Sequence, residues 1–542
     1  MERSRAERWG DDKRDRQSVI VNHTAGPECD KLPTSFWATK THVGFESLIL
    51  YQYQTRLAPR SFSGVTARVS AEPSNSLSRL QRAALALAVL MLGVRCSGDP
   101  TDGDSVLGNE DPPNVVLVLV DTLRADHTSV YGYERRTTPH LERIAAEGLV
   151  MRNHFASAPW TKPSVASIIT GLHPSAHGSR VGLFKTMEKL AEMKAKGRNA
   201  TVEVLVESHE CLAESLSSAG LHTAAYINNY HLTDKFGYQQ GYDEYHFKPG
   251  GPFDDAAHFE GVKATLSTQE GPAFVWCHTM SVHQYVSPDE FKVFSPEGST
   301  PIPPDTPHAR RVRKYADVET PVADYDNAIL YTDSLLGDLF DWIKAEEPNT
   351  ILIVTADHGE EFYEHGSFEH GHTLYNELLR VPLVIWGPGV PVGEVTGITD
   401  SIDIYPTLLN AVGYTPSEDL TGEVLFDAGQ PTEGKLETFA EKHFDNGPKL
   451  FSLVRNGSKL ILSRDQKTGD EAFEFFVDGF SGDVPDASDS TDPANLKRYQ
   501  KRLQALLARA KASFKNGVGA TEVTNLNDYD IQQLHELGYI GN

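Results

Sequence analysis

A run of six apolar residues that ends at an aspartate constrains the fold of this chain most strongly. The run, Val115–Val120 in the stretch PNVVLVLVD, is rich in β-branched residues, which is typical of a parallel strand buried on both faces. A second such run, in NTILIVTADHG, follows a long amphipathic segment and ends at Asp357. Strands that alternate with helices predict an α/β fold with a mostly parallel, doubly wound sheet that helices cover on both faces.

The remaining pattern predicts one large domain and a smaller one behind it. Helix signals in TPHLERIAAEG and CLAESLSSAG end at glycines, and strand signals follow in HTAAYI and PAFVWCHTM. Later in the chain two alternating strands flank Asn456-Gly457, a strong hairpin signal, and a basic amphipathic helix covers about residues 496–514. We therefore expect a large α/β domain over residues 112–429 and a small α+β subdomain over residues 430–542.

The N-terminal part of the sequence has a different character. Residues 1–78 show no sustained periodicity and are predicted to be disordered or mis-assigned to the protein. Residues 79–96 combine two arginines, twelve apolar residues and Cys96, which resembles a signal peptide of the lipoprotein type, although Arg95 departs from that pattern. We expect a start codon downstream of Met1 and an exported protein of the periplasm or cell envelope, with Cys96 as the candidate lipid anchor. A buried helix is the alternative for this segment.

Charge and cysteine content exclude some classes of function. The chain has 50 Lys+Arg against 75 Asp+Glu, a net charge of −25, which argues against nucleic-acid binding because phosphates would be repelled. An anionic substrate would need a local positive feature such as a metal ion. The cysteines show no C-x-x-C spacing, so neither a disulfide framework nor a zinc knuckle is predicted. They are Cys29, Cys96, Cys211 and Cys277.

Polar residues stand at the carboxyl ends of the two apolar strands, where ligands of open α/β sheets bind. Asp121 follows the first strand, and Asp357 and His358 follow the second. Two carboxylates and an imidazole at one sheet edge predict a site for a divalent cation, although a single aspartate after a strand is usually a helix cap. Two further segments hold histidines, which favours an anion or metal site over structural roles: His278, His283, His365, His370 and His372.

Thr161, in the stretch SAPWTKPSVASIITG, has two interpretations. As an N-cap with Pro163 in the first turn, it simply starts a helix. As a nucleophile, it would gain from the same position, because a helix N-terminus stabilises a threonine alkoxide and a bound oxyanion. The two interpretations are compatible.

Several stretches together resemble the sulfatase family of the alkaline phosphatase superfamily. The resemblance runs from about Asn114 to the C-terminus, and its ordered motifs make it specific. It implies an alkaline-phosphatase-like α/β fold and a metal-dependent ester hydrolase. The stretches are PNVVLVLVDTLRADHTSVYGY, TTPHLERIAAEGLVMRNHFASAPWTKPSVASIITGLHPSAHG, ADHGEEFYEHGSFEHGHTLYNELLRVPLVIWGPG, SIDIYPTLLNAVGY and HELGYIG.

The resemblance assigns a metal site to Asp121, Thr161, Asp357 and His358. The second aspartate that often follows the first in this family is Thr122 here, which leaves one carboxylate fewer. One divalent ion, Ca²⁺, Mn²⁺, Mg²⁺ or Zn²⁺, suits three oxygen ligands and one imidazole.

At the nucleophile position the sequence departs from its family. Sulfatases carry a Cys or Ser, matured to formylglycine, in the pattern Cys/Ser-x-Pro-x-Arg. Here Thr161 stands for the precursor and Val165 for the arginine. Threonine cannot become formylglycine, so we expect none.

Other family positions supply further candidates. Asn229 and His231 fall where the sulfate-contacting Lys and His stand in relatives, and His283 and Tyr285 match a His-x-Pro-Tyr-like segment. Arg124 is expected to orient the aspartate loop, and His372 is a weaker substrate candidate. The catalytic candidates are Thr161, His231, His283 and Arg124, and the substrate candidates are Asn229, Tyr285 and His372.

Three functions follow from the resemblance. Threonine nucleophiles occur in phosphodiesterases, phosphonoacetate hydrolases and lipid-linked phosphotransferases of the superfamily, so hydrolysis or transfer of a phosphoester, phosphodiester or phosphonate is favoured. A sulfuric ester hydrolase without formylglycine is the first alternative, and a catalytically degenerate glycan- or anion-binding protein is the second. The expected partner is a small-molecule, glycan or lipid ester that is anionic, and not nucleic acid.

Overall fold

The fold is described from a computed structural model. It describes residues 39–41, 50–52, 112–182, 187–247, 254–307, 309–415, 420–443, 447–478, 480, 493–513 and 522–536. The signal-peptide-like segment 79–96, with Cys96, lies outside the described residues, as do most of segment 1–78 and the final HELGYIG motif beyond Glu536. Among the helices of the described ranges, none is both long and apolar enough to cross a membrane.

A short strand pair lies within segment 1–78. Strands β1 (Thr39–Thr41) and β2 (Leu50–Gln52) pair antiparallel, in a unit that is compact by itself (Met1–Asp104). The sequence predicted no regular structure in this segment, so these six residues differ from the expectation.

Residues Ser105–Asn542 form a second compact unit that contains all other described elements. Its strands are β3 (Asn114–Val120), β4 (Leu149–Phe155), β5 (Thr201–Val204), β6 (His222–Ile227), β7 (Glu244–Phe247), β8 (Ala273–Thr279), β9 (Thr350–Thr355), β10 (Glu361–Phe362), β11 (Phe368–Glu369), β12 (Leu383–Trp386), β13 (Gly393–Asp400), β14 (Phe426–Asp427), β15 (Gln430–Pro431), β16 (Glu437–Lys442), β17 (Lys449–Arg455), β18 (Ser458–Arg464), β19 (Glu471–Phe476) and β20 (Glu522–Asn525). Its α-helices are α1 (Pro139–Ala146), α2 (Thr161–Thr170), α3 (Pro174–His177), α4 (Met187–Ala195), α5 (Leu212–Ser218), α6 (Asp255–Thr268), α7 (Ser281–Gln284), α8 (Glu319–Glu346), α9 (Asn376–Leu379), α10 (Ile404–Ala411), α11 (Pro493–Ser513) and α12 (Asp528–Glu536). Short 3-10 turns cover Ala125–His127, Ser129–Tyr131, Tyr230–Leu232, Asp234–Phe236, Asp289–Phe291, Val312–Lys314 and Ser401–Asp403.

A central sheet of eight strands, in the order β13-β4-β12-β9-β3-β8-β6-β7, organises the large domain. The apolar strand β3 lies between β8 and β9 and pairs with both in parallel, as its sequence predicts. Strand β12 is the exception, since it pairs antiparallel with both β9 and β4. The connection between β9 and β12 holds only two short strands and one four-residue helix, too little for a full crossover, so the chain re-enters the sheet in the opposite direction.

Helices cover both faces of the sheet, and β3 shows why. Its alternate residues Val115 and Leu117 belong to one core cluster, which α2, α5 and α10 complete. Val116 and Val118 belong to the other cluster, together with residues of α1, α6 and α8. All four side chains have no exposed surface, so a continuous apolar run is what this position requires.

A second sheet follows in the C-terminal part, where β16, β17, β18 and β19 pair antiparallel in chain order. Asn456 and Gly457 form the predicted two-residue turn between β17 and β18, both with positive φ (49° and 79°). Helix α11 packs on this sheet through Leu503 and Leu507. The last elements return to the large domain, where β20 pairs with β5 and Leu534 of α12 joins the core. The sequence grouped this last part with the subdomain instead.

Candidate active site

Two adjacent parallel strands bring the predicted metal ligands together. Asp121 directly follows β3, and Asp357 and His358 come two and three residues after the end of β9. All three side chains are completely buried, and one ligand atom of each lies within 4.8 Å of the others. The strand-end argument thus predicts the placement of these residues.

The donor atoms of this cluster fit a cation. The Nδ1 atom of His358 hydrogen bonds with the Gly359 carbonyl at 2.8 Å, which leaves a lone pair on Nε2. That Nε2 lies 3.4 Å from Asp357 Oδ2 and 3.7 Å from Asp121 Oδ1, and the latter oxygen has no hydrogen-bond partner among the described residues. Carboxylate oxygens and an imidazole nitrogen that converge in this way can hold a divalent ion.

Electrostatics point the same way. Burial, reinforced by the negative charge of Asp357, raises the pKa of Asp121 well above its usual value. Burial also raises the pKa of Asp357 to about 7, although the amides of Thr122 and His358 donate to its carboxylate and oppose the shift. A divalent cation between these two buried carboxylates would reduce their repulsion and stabilise both in the ionised form.

Thr161 belongs to the same cluster. Its Oγ1 atom lies 3.3 Å from His358 Nε2, and the side chain is fully buried. Thr161 is the first residue of α2 and Trp160 is the N-cap, so the expected threonine N-cap is wrong by one position, and the Thr161 hydroxyl faces His358. The helix starts here because Pro163 fits the first turn, and it ends at Gly171, whose φ is 65°.

The Asp121 loop is held in an unusual backbone conformation. Thr122 has a φ of 64°, which a β-branched residue adopts only under strain. Asp357 accepts its amide at 3.2 Å, and the hydroxyl of Tyr325, from α8, donates to its carbonyl at 2.6 Å. Tyr325 also accepts the amide of Arg124 at 2.9 Å. These contacts fix the direction in which the Asp121 side chain leaves β3.

Arg124 stabilises this loop from outside the site. Its guanidinium is hydrogen bonded to Asp126, to Glu364 and, at 3.0 Å, to the carbonyl of Glu360. None of the contacts of that guanidinium among the described residues involves Asp121, Asp357 or His358. Arg124 is therefore a positioning residue here, as its expected role in the aspartate loop implies, and not a group that touches the reacting atoms.

Asn229 and His231 occupy different places. The Nδ2 atom of Asn229 donates to Asp121 Oδ2 at 2.9 Å, so the amide orients a ligand carboxylate, whereas the sequence listed it among the substrate contacts. Its Oδ1 accepts the backbone amide of His231. The His231 ring packs edge-on against Trp160, the residue before Thr161, with ring centroids 5.4 Å apart. Burial, with the charge of Lys162, lowers its pKa well below the usual value, which keeps the ring neutral.

A row of imidazoles extends from the cluster. The ring of His370 lies 4.5 Å from His358 and 5.2 Å from His283, between centroids. Burial, with the charge of Arg311, lowers the pKa of His283 well below the usual value. Because Arg311 and Gln284 both bring N–H groups to His283 Nδ1, at 3.3 and 2.9 Å, the neutral ring carries its proton on Nε2 and can donate there.

Arg311 is the functional candidate that the sequence did not reveal. It comes from the long connection between α7 and α8, where no motif marks it. Its guanidinium donates to Glu360 Oε2 at 2.8 Å and to the carbonyl of His283, and it covers the ring of Tyr285 at 5.2 Å. Its positive charge opposes the rise in the pKa of Asp121, so Arg311 lies within electrostatic range of the ligand cluster.

Of two further histidines, one lies beside Asp121 and the other faces a different group. His278, at the end of β8, lies 3.5 Å from Asp121 Oδ2, close enough to be a further ligand candidate. His372, expected as a substrate residue, lies against Glu361 with 2.6 Å between Nε2 and Oε2. Glu361 belongs to a neighbouring group with His365 and Glu377. The sequence showed the histidine-rich segments but not which ring faces which cluster.

The comparisons with known proteins identify the family of this chain. The family model described as Sulfatase matches residues 113–414, which is more than half of the chain. Human N-acetylgalactosamine-6-sulfatase is 28% identical over 361 residues, which cover 58% of this chain and 65% of that protein. Phosphoethanolamine transferase EptC of Escherichia coli is 24% identical over 291 residues, which cover 52% of this chain and 45% of that protein.

A solved structure shows the same fold. The phosphonate monoester hydrolase of Agrobacterium radiobacter superposes with a TM-score of 0.57 at 18% identity, covering 73% of this chain and 96% of that one. The chain spans less than two thirds, 65%, of the length of the human relative. On the family match, this chain belongs to the sulfatase family.

Proposed function

We propose that this protein is a metal-dependent hydrolase or transferase of anionic esters in which Thr161 is the nucleophile. The observation that carries the proposal is the 3.3 Å distance between Thr161 Oγ1 and His358 Nε2 inside the buried cluster of Asp121, Asp357 and His358. One divalent ion, Ca²⁺, Mn²⁺, Mg²⁺ or Zn²⁺, held by these four residues would neutralise the substrate oxyanion and lower the pKa of the hydroxyl.

The reaction would proceed by two displacements. In the first, the Thr161 hydroxyl gives up its proton to solvent, and a bond forms between Oγ1 and phosphorus while the bond from phosphorus to the leaving oxygen breaks. The leaving oxygen takes up a proton, and the Nε2–H of His283 is our candidate donor to the developing charge. In the second, water or an acceptor alcohol displaces the phosphoryl group from Thr161. The N-terminal end of α2 favours the negative charge in both steps.

Phosphorus is favoured over sulfur because the chain lacks the parts of formylglycine chemistry. Thr161 cannot be oxidised to an aldehyde. Val165, at the position of the family's arginine, is fully buried in the apolar core beside β3, so this helix face packs and does not bind. Relatives named as a phosphoethanolamine transferase and a phosphonate monoester hydrolase agree with phosphorus chemistry.

Cleavage of a sulfate ester without formylglycine is the second candidate. The human relative named N-acetylgalactosamine-6-sulfatase favours it. In either case the expected substrate is an anionic ester of a small molecule, a glycan or a lipid, and the partly buried Arg311 is our candidate cation to attract it.

A panel of aryl esters tests the proposal: 4-nitrophenyl phosphate, bis(4-nitrophenyl) phosphate, 4-nitrophenyl phenylphosphonate and 4-nitrophenyl sulfate, each with Ca²⁺, Mn²⁺, Mg²⁺ or Zn²⁺. We expect turnover of a phosphorus ester, a fall of roughly 10³-fold or more in Thr161→Ala, and partial activity in the matched control Thr161→Ser. Full activity in Thr161→Ala would contradict the nucleophile. A protein that retains no metal and turns over none of the esters would favour a binding function.

We also propose that the protein is exported to the periplasm or cell envelope, with Cys96 as the lipid attachment site. The motif at residues 79–96 supports this proposal. Cell fractionation with radiolabelled palmitate, comparing the natural chain with Cys96→Ala, tests it: a label that persists in Cys96→Ala would exclude Cys96 as the anchor.

A further inference from the structure

A large groove separate from the candidate active site lies between helix α11 and the large domain. Its cavity volume is about 750 Å³, within the range of small-molecule sites. One wall is a face of α11, and the other is formed by the start of β16 and the segment that follows α2. We call this feature the cationic groove, because six basic side chains line it: Lys435, Arg455, Arg498, Lys501, Arg502 and Arg509.

The charge of the groove is opposite to that of the chain. Only three acidic residues line it, namely Asp400, Glu423 and Glu437, against the six cations, whereas the whole chain carries −25. A positive groove on a strongly acidic protein attracts anions to one place.

Part of this charge is already compensated. Arg455 and Arg502 both pair with Glu437, and Lys435 pairs with Asp403 at 2.5 Å. The Glu437 carboxylate shows that this wall can direct two guanidinium groups at one oxyanion.

Two of the other cations are available to a ligand. Among the described residues, Lys501 forms no ion pair, and Arg498 contacts only the side-chain oxygen of Asn495, at 2.6 Å. Both side chains are exposed to the groove. An anion that enters would therefore meet these two groups first.

The arrangement along α11 is unfavourable without an occupant. Arg498, Lys501 and Arg502 lie three and four residues apart on one helix face, where like charges repel. The apolar face of the same helix, with Leu503 and Leu507, is buried against the C-terminal sheet, so the cationic face cannot turn away. A bound anion would remove the repulsion.

The floor of the groove is built from the large domain. His173 is 92% buried, since only 8% of it is exposed, and its ring packs on Phe439 with centroids 3.9 Å apart. Its Nδ1 atom has no hydrogen-bond partner among the described residues. Burial lowers the pKa of His173, which keeps the floor uncharged. Leu172 and Leu506 add apolar surface.

We propose that the cationic groove binds an organic ligand that carries at least two phosphate or sulfate groups. The two neighbouring cations Arg498 and Lys501 suit an oxyanion with several negative charges. The apolar floor and the cavity volume suit an organic body of about the size of a disaccharide. The groove shares no residue with the candidate active site. His173 follows the C-terminal end of α2, while Thr161 is at its N-terminal end, so the helix length alone separates them by roughly 15 Å.

Calorimetric titration with two probes tests the proposal: inorganic pyrophosphate and a disulfated heparin disaccharide. The proteins are the natural chain, the double variant Arg498→Glu/Lys501→Glu, and Lys497→Glu as the matched control. Lys497 is an exposed cation of the same helix that does not line the groove. We expect at least one probe to bind the natural chain, with affinity about tenfold or more weaker in the double variant and unchanged in the control.

Three results would overturn the proposal: no binding of either probe, equal affinity in the double variant, or an equal loss in Lys497→Glu. Binding of pyrophosphate alone or of the disaccharide alone identifies the preferred oxyanion. Thermal unfolding of each variant checks its fold, and Lys501→Gln provides a milder variant that must weaken binding in the same direction.

The experiment is independent of the proposed function. We expect the double variant to keep the aryl-ester turnover of the natural chain, because neither residue contacts the Thr161 cluster. If no ester is turned over by any protein, the binding comparison still decides the groove.

Discussion

The candidate active site and the cationic groove both gather like charges, but they do so in opposite surroundings. At the strand ends, Asp121 and Asp357 are completely buried and repel each other. In the groove, Arg498 and Lys501 are exposed to water, and the other cations largely have carboxylate partners. Water and counter-charges reduce the repulsion between the groove cations. The buried repulsion in the strand-end cluster lowers the stability of the fold when no cation is bound.

This difference shows which of the two regions can interact more strongly with a bound ion or substrate. A buried, uncompensated charge interacts strongly with anything that enters, because no water screens it. An exposed charge gives selectivity and attraction at long range but little energy for each contact. We expect a substitution in the strand-end cluster to lower activity and raise stability. A substitution beside the groove should lower stability and leave activity unchanged.

Asp121→Asn gives the largest expected effect. The change removes a ligand charge but keeps an oxygen that can accept from Asn229. We expect ester turnover to fall by roughly 10³-fold, while thermal stability without added metal rises, because one of two repelling buried carboxylates is gone. Turnover assays and thermal unfolding with and without metal measure this. A variant that loses both activity and stability would mean that Asp121 is a structural residue.

Lys435→Met should show the opposite behaviour. The lysine lies between Asp403 and Asp400, at 2.5 and 3.3 Å, with both carboxylates almost completely buried. Removing it leaves two buried charges unpaired, so we expect the free energy of unfolding to fall by about 3 kcal/mol while aryl-ester turnover at low temperature stays the same. Urea unfolding measures the loss, with Lys497→Met as the control. A loss in the control of equal size would contradict the assignment.

Glu441→Gln addresses a contact between the C-terminal sheet and the large domain. Glu441, in β16, accepts the backbone amide and hydroxyl of Ser175 and pairs with His443 at 2.7 Å. Burial alone would raise its pKa, but these hydrogen bonds outweigh burial and lower it from 4.5 to about 2. A carboxyl group with a depressed folded pKa stabilises above pH 4.5, and the contribution disappears as the pH falls toward 2.

We therefore expect the natural chain to be more stable than Glu441→Gln by about 2 kcal/mol at pH 7, with the difference shrinking between pH 4.5 and pH 2. Urea unfolding at several pH values follows the difference between the two proteins. A difference that stays constant over this range would show that the carboxyl does not titrate with folding.

The smallest effect is expected in the groove itself. Arg498→Ala and Lys501→Ala remove exposed charges that make no ion pair with any described residue, so the free energy of unfolding should change by less than about 0.5 kcal/mol. Thermal unfolding at low and high salt measures it, since relief of repulsion would appear only at low salt. A loss of several kcal/mol would indicate that these residues have a structural role.

Local patterns predicted the sheet and the proximity of Asp121, Asp357 and His358, for identifiable reasons. The apolar run of β3 and the strand before Asp357 carry their own signals, and parallel neighbours deliver their carboxyl ends to one edge. The hairpin at Asn456-Gly457 was equally local. Each of these features depends on residues close together in the sequence.

What the sequence missed depends on residues far apart. Arg311 comes from a loop without periodicity, so nothing in the sequence indicated that its guanidinium would meet Glu360. The pairing of β20 with β5 joins segments more than three hundred residues apart. The choice between His370 and His372 depends on a single turn of backbone that places the former beside His358.

Helix α8 holds two segments that lie on either side of the candidate active-site loop. Its Tyr325 fixes the strained Thr122 loop at one point, and its Asp333 accepts the first amides of α1 at 2.8 and 2.9 Å. One rigid rod thus aligns both ends of the segment that begins at the ligand Asp121. A substitution that displaces α8 would leave all reactive side chains in the protein but would move them out of alignment. We expect such a variant to fold and to turn over its substrate slowly.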